Sequence, residues 1–466
     1  MTFSLSHQNV RFINVYTKFL FGFALLAAYL YLFSYFYVNS IYQRWGYFGF
    51  RLGTDNETAY LISVASVFLA YLVIPRRATS ASDYILWLLF VLGFVPIQIT
   101  FGLSDSLEGQ GYWYQIALLV SFSISSLVAR LTARIRWVST ASRMDQLGDK
   151  TLERSGSLRK IFLWSSAFIV LLLVFRFRSI LSFAGVEDVY EQRAAASEFG
   201  IGAFFGYLIL WTTYLLSPLI IAMGLVERKK RLVIMAVGML IAIYMITASK
   251  IIFIIIAFSF SIHVFNRINL QRHMYLLFAV PIVPMVIALF FFNFLGGSEV
   301  SDLATFVIDQ IVIRGIAIQG MIFNLYVEFF SVNQLTYYSH VTGVSLFVDY
   351  PYDLPIGRII SIYAYGHPNS NANSGIWATD GVAAGGPLGV IFIGVLLGAF
   401  LGFVNRITKN VGHEFLSIAM VPLAMLMVNV SMFTTLSSGG GFLLVLLVRW
   451  LWKDIAAKET RPKRWI

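Results

Sequence analysis

The sequence predicts an all-α, polytopic membrane protein with about twelve transmembrane helices. Three observations predict it. Hydrophobic residues make up 58% of the 466 positions and charged residues only 12%, against roughly 25% charged in soluble domains. Apolar runs of spanning length recur from end to end. Lys and Arg gather in alternate connectors, the asymmetry that orients helices in a membrane.

The spanning runs fall near 15–38, 58–75, 84–102, 112–129, 160–182, 201–224, 232–247, 251–266, 274–294, 386–405, 414–432 and 438–453. The first is too long and too aromatic for a cleaved signal peptide, and no small-residue cleavage site follows it, so it is predicted to be the first membrane helix. With both termini placed inside, most of the 34 Lys+Arg fall on the inner connectors, including Arg76, Arg77 and Arg228 to Arg231. The net charge of +11 then reads as topology and contact with anionic membrane lipids. No aromatic-interleaved basic stripe suggests a nucleic-acid face.

This predicts three regions. Residues 1–294 hold helices one to nine, with a polar inner connector at 130–160 and a compact outer loop at 184–200. Residues 295–385 form a large outer segment, and 386–466 hold helices ten to twelve and a basic tail. A structureless loop of that outer length would be unusual, so the segment is predicted to fold against the outer face. Within it, "SDLATFVIDQIVIRGIAIQGMIFNLYVEFF" has helical spacing. Asp302, Thr305 and Asp309 share one face, and Asn324 and Glu328 another.

The absence of Cys excludes disulfides, thiolate nucleophiles and Cys-ligated metals. No HExxH, P-loop or GxSxG motif occurs. The informative residues are instead the cations that oppose the topological bias: Arg44, Arg51, Arg176, Arg178, Arg193, Lys250, Arg314 and Arg358. Lys250 lies in "ITASKIIF", between two short apolar runs that predict a hairpin turning within the outer leaflet. A cation at bilayer depth costs about 2.5–3.5 kcal/mol on insertion scales. It either faces a cavity or partner, or snorkels to the headgroups. Arg44, Arg51, Arg176 and Arg178 fit interface anchors. Arg193, among Glu187, Asp188 and Glu191, fits a local ion pair or a ligand contact. Arg314, in an apolar context, needs an anionic partner.

A cluster of outer cations matches a phosphate: Arg by two-pronged geometry, Lys by point charge. A lipid pyrophosphate would bring that anion to the required depth. The polar stretch "GHPNSNANSGIWATDGVAAGGPLG", 366–389, then has a role. Asn369, Asn371 and Asn373 are suited to sugar hydroxyls. His367 or Asp380 is suited to proton transfer, with His340 the other outer histidine. The alternative is a polar cap on the next helix, with glycines 381, 385, 386 and 389 allowing a tight turn.

In "DVYEQRAAA", "ITASKIIF", "VIRGIAIQG…YVEFF" and "NSNANSGIWATDGVAAGGPLGV", taken in order from about Gly185 onward, the chain resembles the bacterial Wzy-type O-antigen polymerases, which are related to the O-antigen ligases. The resemblance implies a lipid-dependent, GT-C-like glycosyltransferase of lipopolysaccharide biosynthesis in the bacterial inner membrane. It implies an active site on the periplasmic side, an undecaprenyl-pyrophosphate-linked oligosaccharide as donor and acceptor, and a chain-length regulator as partner. The family's loop arginines would correspond to Arg193 and Arg314. Where the family often has Arg between the paired short helices, this chain has Lys250, which keeps the charge but loses the fork. The ligases' loop histidine would correspond to His367, although its spacing to the following glycines differs. No metal or other cofactor is required, because cations would carry the leaving group's charge. Two other functions compete with polymerisation: a flippase for the same lipid-linked sugar, and transfer of finished polymer to a lipid core.

Overall fold

The computed structural model describes residues 7–53, 57–104, 111–134, 155–183, 191–192, 196, 198–294, 305, 308–366, 371–372 and 375–459. The described residues are about 81% helical, and no strand occurs among them. Nine described helices are long and apolar enough to cross a membrane, and three shorter apolar helices, Glu57–Val73, Ile251–Arg267 and His413–Asn429, accompany them. The protein is an all-α, multi-pass membrane protein. Each of the twelve predicted runs falls on a helix.

In chain order, α1 (His7–Phe36) continues through a widened π turn to Trp45. It is followed by α2 (Glu57–Val73), α3 (Ala81–Ser104), α4 (Tyr112–Arg134), α5 (Ser155–Arg176) and α6 (Ala203–Val226). Next come α7 (Lys230–Thr247), α8 (Ile251–Arg267) and α9 (Ala279–Phe294). The α7–α8 turn has Ala248 in the left-handed region at φ 46°. This is the tight hairpin expected at Lys250.

Helix α3 is the axis of the bundle, because its spanning window is entirely buried. A helix that is apolar on every side is stable only when surrounded, and α1, α2 and α4 pack around it. Its aromatic stack of Trp87, Phe90 and Phe94 meets Phe122 of α4 and Phe278 just before α9.

A helix, α10, runs through Ile308–Ala317 into Ile318–Val332. It is mostly buried and meets the length and composition of a membrane span. Its two ends are both tied to the short stretch after α1. Trp45 Nε1 donates to Asp309 at 3.0 Å, and Arg51 donates to Glu328 at 3.0 Å. The chain continues through a loop to α11 (Ile356–Tyr365).

The next helix, α12 (Trp377–Ile407), begins before the expected 386 and is two helices in one. Its backbone breaks at Gly385 and Gly386, the latter at φ 59°, where a side chain would be strained. The arms fold back on each other. A Cβ on Gly381 would lie 2.5 Å from Gly389 O. Trp377 and Gly394 both pack on Ser121 of α4. The segment ahead of the break therefore dips into the bundle and climbs back before α12 descends. Helices α13 (His413–Asn429) and α14 (Gly441–Glu459) complete the chain.

The long arm of α12 lies against α4 through Gly394, Gly398 and Gly402, four residues apart on one face. Such small-residue stripes let helix backbones approach closely. A Cβ on Gly398 would sit 2.7 Å from Val128 Cβ and 2.8 Å from Ser125 O. Between α5 and the end of α6, Arg159 Nη2 donates to Glu227 Oε2 at 2.9 Å, and Lys229 shares that carboxylate. Burial alone would raise the Glu227 carboxyl, but Arg159 and Lys229 outweigh it and hold it below the usual carboxylate range.

Gly398→Val is expected to destabilise the detergent-solubilised protein by about 1–3 kcal/mol through overpacking. Gly238→Ala, at a helical site with open space around it, should instead stabilise by about 0.5–1 kcal/mol. Thermal unfolding of both variants checks the contrast. Glu227→Gln leaves Arg159, 7% exposed, without its counter-charge, at a cost of about 3 kcal/mol at pH 7. Because the carboxyl is depressed in the fold, this stabilisation is full above the ordinary carboxylate range and lost as pH falls through the lowered value. The melting-temperature gap between variant and wild type should therefore close in acid.

Candidate functional site

The break in α12 leaves the carbonyls ending its short arm without helical partners. In an apolar surrounding each such group costs several kcal/mol if unpaired. The segment after α10 supplies the partners. Thr336 N–H donates to Ala383 O at 2.8 Å, and Tyr337 N–H to Ala384 O at 3.1 Å. Tyr338 OH donates to Gly389 O at 3.1 Å, across the break. These bonds hold residues 333–341 against the short arm. They place His340 Nε2 3.5 Å from Asp380 Oδ1.

Asp380 is 5% exposed. Its other oxygen, Oδ2, has no hydrogen-bond partner among the described residues. His340 Nδ1 lies 2.8 Å from the Thr336 hydroxyl, which also contacts Ala383 O. The imidazole is thus fixed on one side by Thr336, while its other nitrogen faces a buried carboxylate. Burial, together with the Asp380 charge, holds the Tyr338 phenol above its ordinary value. An imidazole nitrogen therefore faces a buried carboxylate beside the broken helix.

A group of aromatic rings is joined to the same segment, where Tyr352 OH donates to Gln334 O. Tyr350 and Tyr352 lie 5.8 Å apart, Tyr352 is 5.9 Å from Phe329, and Phe329 is 5.5 Å from Tyr363 on α11. Tyr363 is exposed. Burial with Tyr352 nearby pushes the Tyr350 hydroxyl up to about 12.

Of the sequence-derived site residues, Asp380 is at the centre of this cluster. Arg193, His367, Asn369 and Asn373 lie outside the described residues. Asn371 is exposed. Its neighbour Ala372 donates to Gly357 O at 2.8 Å, which brings the strip alongside exposed Arg358 on α11. Lys250 is half-buried at the α7–α8 turn. Nearby, Gln192 donates to Met245 O at 2.8 Å and to Ile180 O at 2.7 Å, which ties it to the end of α7. Arg314 lies 5.4 Å from the Trp45 ring centroid, and that indole donates to Asp309. Lys250, Arg314 and Arg358 thus sit on three separate elements.

The pairing of His340 with Asp380 is created by a fold-back that no local spacing encodes. Arg44 and Arg51, whose sequence context fits interface anchors, also have partners: Arg44 reaches Thr305 at 3.0 Å and Asp309 at 3.9 Å, and Arg51 pairs with Glu328. Thr305 and Asp309 of the first expected face, and Asn324 and Glu328 of the second, make these contacts; Asp302, the third member of the first, lies outside the described residues. Asn324 donates to Ser104 at 2.6 Å. No group of three or more His, Cys, Asp or Glu suited to a metal occurs among the described residues.

No family model, curated protein or solved structure matches the chain.

Thr336→Val removes the hydroxyl that meets His340 Nδ1. A buried hydrogen bond of this kind contributes about 1 kcal/mol, and the orphaned imidazole nitrogen adds about 1–3 kcal/mol. Thermal unfolding should show a loss in that range, largely restored in Thr336→Ser.

Proposed function

We propose that this protein is a membrane glycosyltransferase of the O-antigen polymerase kind, joining lipid-pyrophosphate-linked oligosaccharides at the outer face of the bacterial inner membrane. The observation that carries the reading is His340 facing the buried Asp380 carboxylate at the broken helix α12. His340, oriented by Thr336, takes the proton of an acceptor sugar hydroxyl, and Asp380 stabilises the resulting imidazolium. The hydroxyl oxygen bonds to the donor's anomeric carbon as that carbon's bond to pyrophosphate breaks. The electron pair leaves with the lipid pyrophosphate. Direct displacement inverts the anomeric centre.

In this reading Arg193, Lys250, Arg314 and Arg358 supply the positive charge for the leaving group. Preorganised donors of this type are worth on the order of 3–4 kcal/mol each. Asn369, Asn371 and Asn373 bind sugar hydroxyls, and the rings from Tyr350 to Tyr363 provide stacking faces. Support also comes from the order and spacing of the loop motifs from about Gly185 onward. A chain-length regulator is the partner this activity calls for.

A second reading, a flippase for the same lipid-linked sugar, draws on the broken α12. Discontinuous helices that meet within the bundle are common at transporter binding sites.

Purified protein in liposomes, with donor and acceptor repeat units labelled separately, decides between them. New glycosidic bonds are expected, and translocation without bond formation would favour the flippase. Asp380→Asn and His340→Ala should each slow polymerisation about 10²–10⁴-fold, the usual contribution of general-base catalysis. Wild-type rates in both variants at normal expression would reject the assigned base.

A further inference from the structure

At the end of the bundle opposite the His340–Asp380 pair, four basic side chains converge on one edge. The Arg76 guanidinium, after α2, lies 4.0 Å from the Phe19 ring centroid and 5.5 Å from that of Tyr71. Those rings stack on each other at 6.0 Å, so Arg76 is steered across α1 rather than left to wave in solvent. Lys18 precedes Phe19 and is half-buried. The loop into α9 brings the other two, Arg272 and His273. Ala78 N–H donates to Gln271 O at 2.9 Å, and Tyr275 packs edge-on against Phe21 at 5.6 Å. His273 Nδ1 meets Tyr275 OH at 2.8 Å. Burial, with Lys18 and Arg272 beside it, holds the His273 imidazole below its ordinary value. That agrees with cations crowded into one place.

Among the described residues no ion pair joins Lys18, Arg76 or Arg272 to a carboxylate. Asp83, seven residues beyond Arg76, is spent on capping α3: its Oδ2 accepts from Thr79 N at 2.7 Å and Ser80 N at 2.9 Å. Just beyond the cations the surface becomes apolar, with Leu20, Phe21, Phe23 and Leu72 exposed. Phe23 and Phe68 make a stacked wall at 4.4 Å. A phosphate seated among the cations would have its hydrocarbon tail laid along that wall.

We propose that Lys18, Arg76, Arg272 and His273 form a binding site for the headgroup phosphate of an anionic membrane lipid, whose acyl chains run along Leu20, Phe23 and Leu72. The site is independent of the catalytic reading above. Basic side chains at a membrane surface each add about fivefold to the affinity for anionic lipid, and the phosphate geometry suits Arg.

The test is native mass spectrometry of the full chain released from nanodiscs of phosphatidylcholine containing graded phosphatidylglycerol. Wild type is expected to retain phosphatidylglycerol over phosphatidylcholine. Arg76→Gln and Arg272→Gln should each lower retention about fivefold. Arg76→Lys, and Arg231→Gln at an exposed site outside the cluster, should retain it. Equal retention of both lipids by wild type overturns the proposal whether or not the variants fold. So does unchanged retention in both Gln variants. Thermal stabilisation of wild type by inorganic phosphate alone, matching that from phosphatidylglycerol, would overturn the assignment to a lipid.

Discussion

The close approach of backbones along α12 is the constraint on which the rest of the structure depends. Gly381 lies on Gly389 within the hairpin, and Gly394, Gly398 and Gly402 lie on α4. Without a hydrophobic drive between helices in lipid, such contacts hold mainly through dispersion and weak polar bonds. They allow the short arm of α12 to enter the bundle beside the long one. A helix that stops inside an apolar bundle must find other partners for its last carbonyls. Residues 336–337 provide them, and that obligation brings His340 to Asp380. The site chemistry is in this sense a consequence of backbone satisfaction.

Charges inside the fold are handled in three ways. Arg159 and Glu227 are nearly fully buried and satisfy each other. Arg51 is largely exposed while its partner Glu328 is buried, so solvent screens the pair and its net contribution is small. Arg176 and Arg314 rest against aromatic rings, Phe199 at 4.4 Å and Trp45 at 5.4 Å. Asp380 follows none of these patterns. Among the described residues it has one loose partner and a second oxygen with no hydrogen bond, although burying an unsatisfied carboxylate is costly.

The two ends of the bundle differ in the same terms. One end carries the re-entrant arm, the imidazole–carboxylate pair and the tyrosine train. The other carries a cluster of basic side chains, with Arg76 on the Phe19 and Tyr71 rings, beside exposed apolar surface. Helix α3 joins them as a fully buried post, and its polar residues Gln98 and Thr100 lie toward the first end, with Gly320 of α10 packed on Thr100.

The sequence by itself determined where the helices lie, because a hydrocarbon surrounding demands long apolar runs and the glycine and proline punctuation marks their ends. It determined the tight turn at Lys250, the flex at Gly385 and Gly386, and the contacting faces of Thr305 with Asp309 and Asn324 with Glu328, all of which follow from local spacing. Tertiary structure decided that the stretch before Gly385 is a buried helix rather than a polar loop, that α10 is held at both ends beside the exit of α1, and that His340 meets Asp380. Those outcomes join residues 40 to 280 positions apart. One-dimensional periodicity is silent on which of two distant faces will meet, since that choice is made by packing and by the need to pair every backbone group away from water.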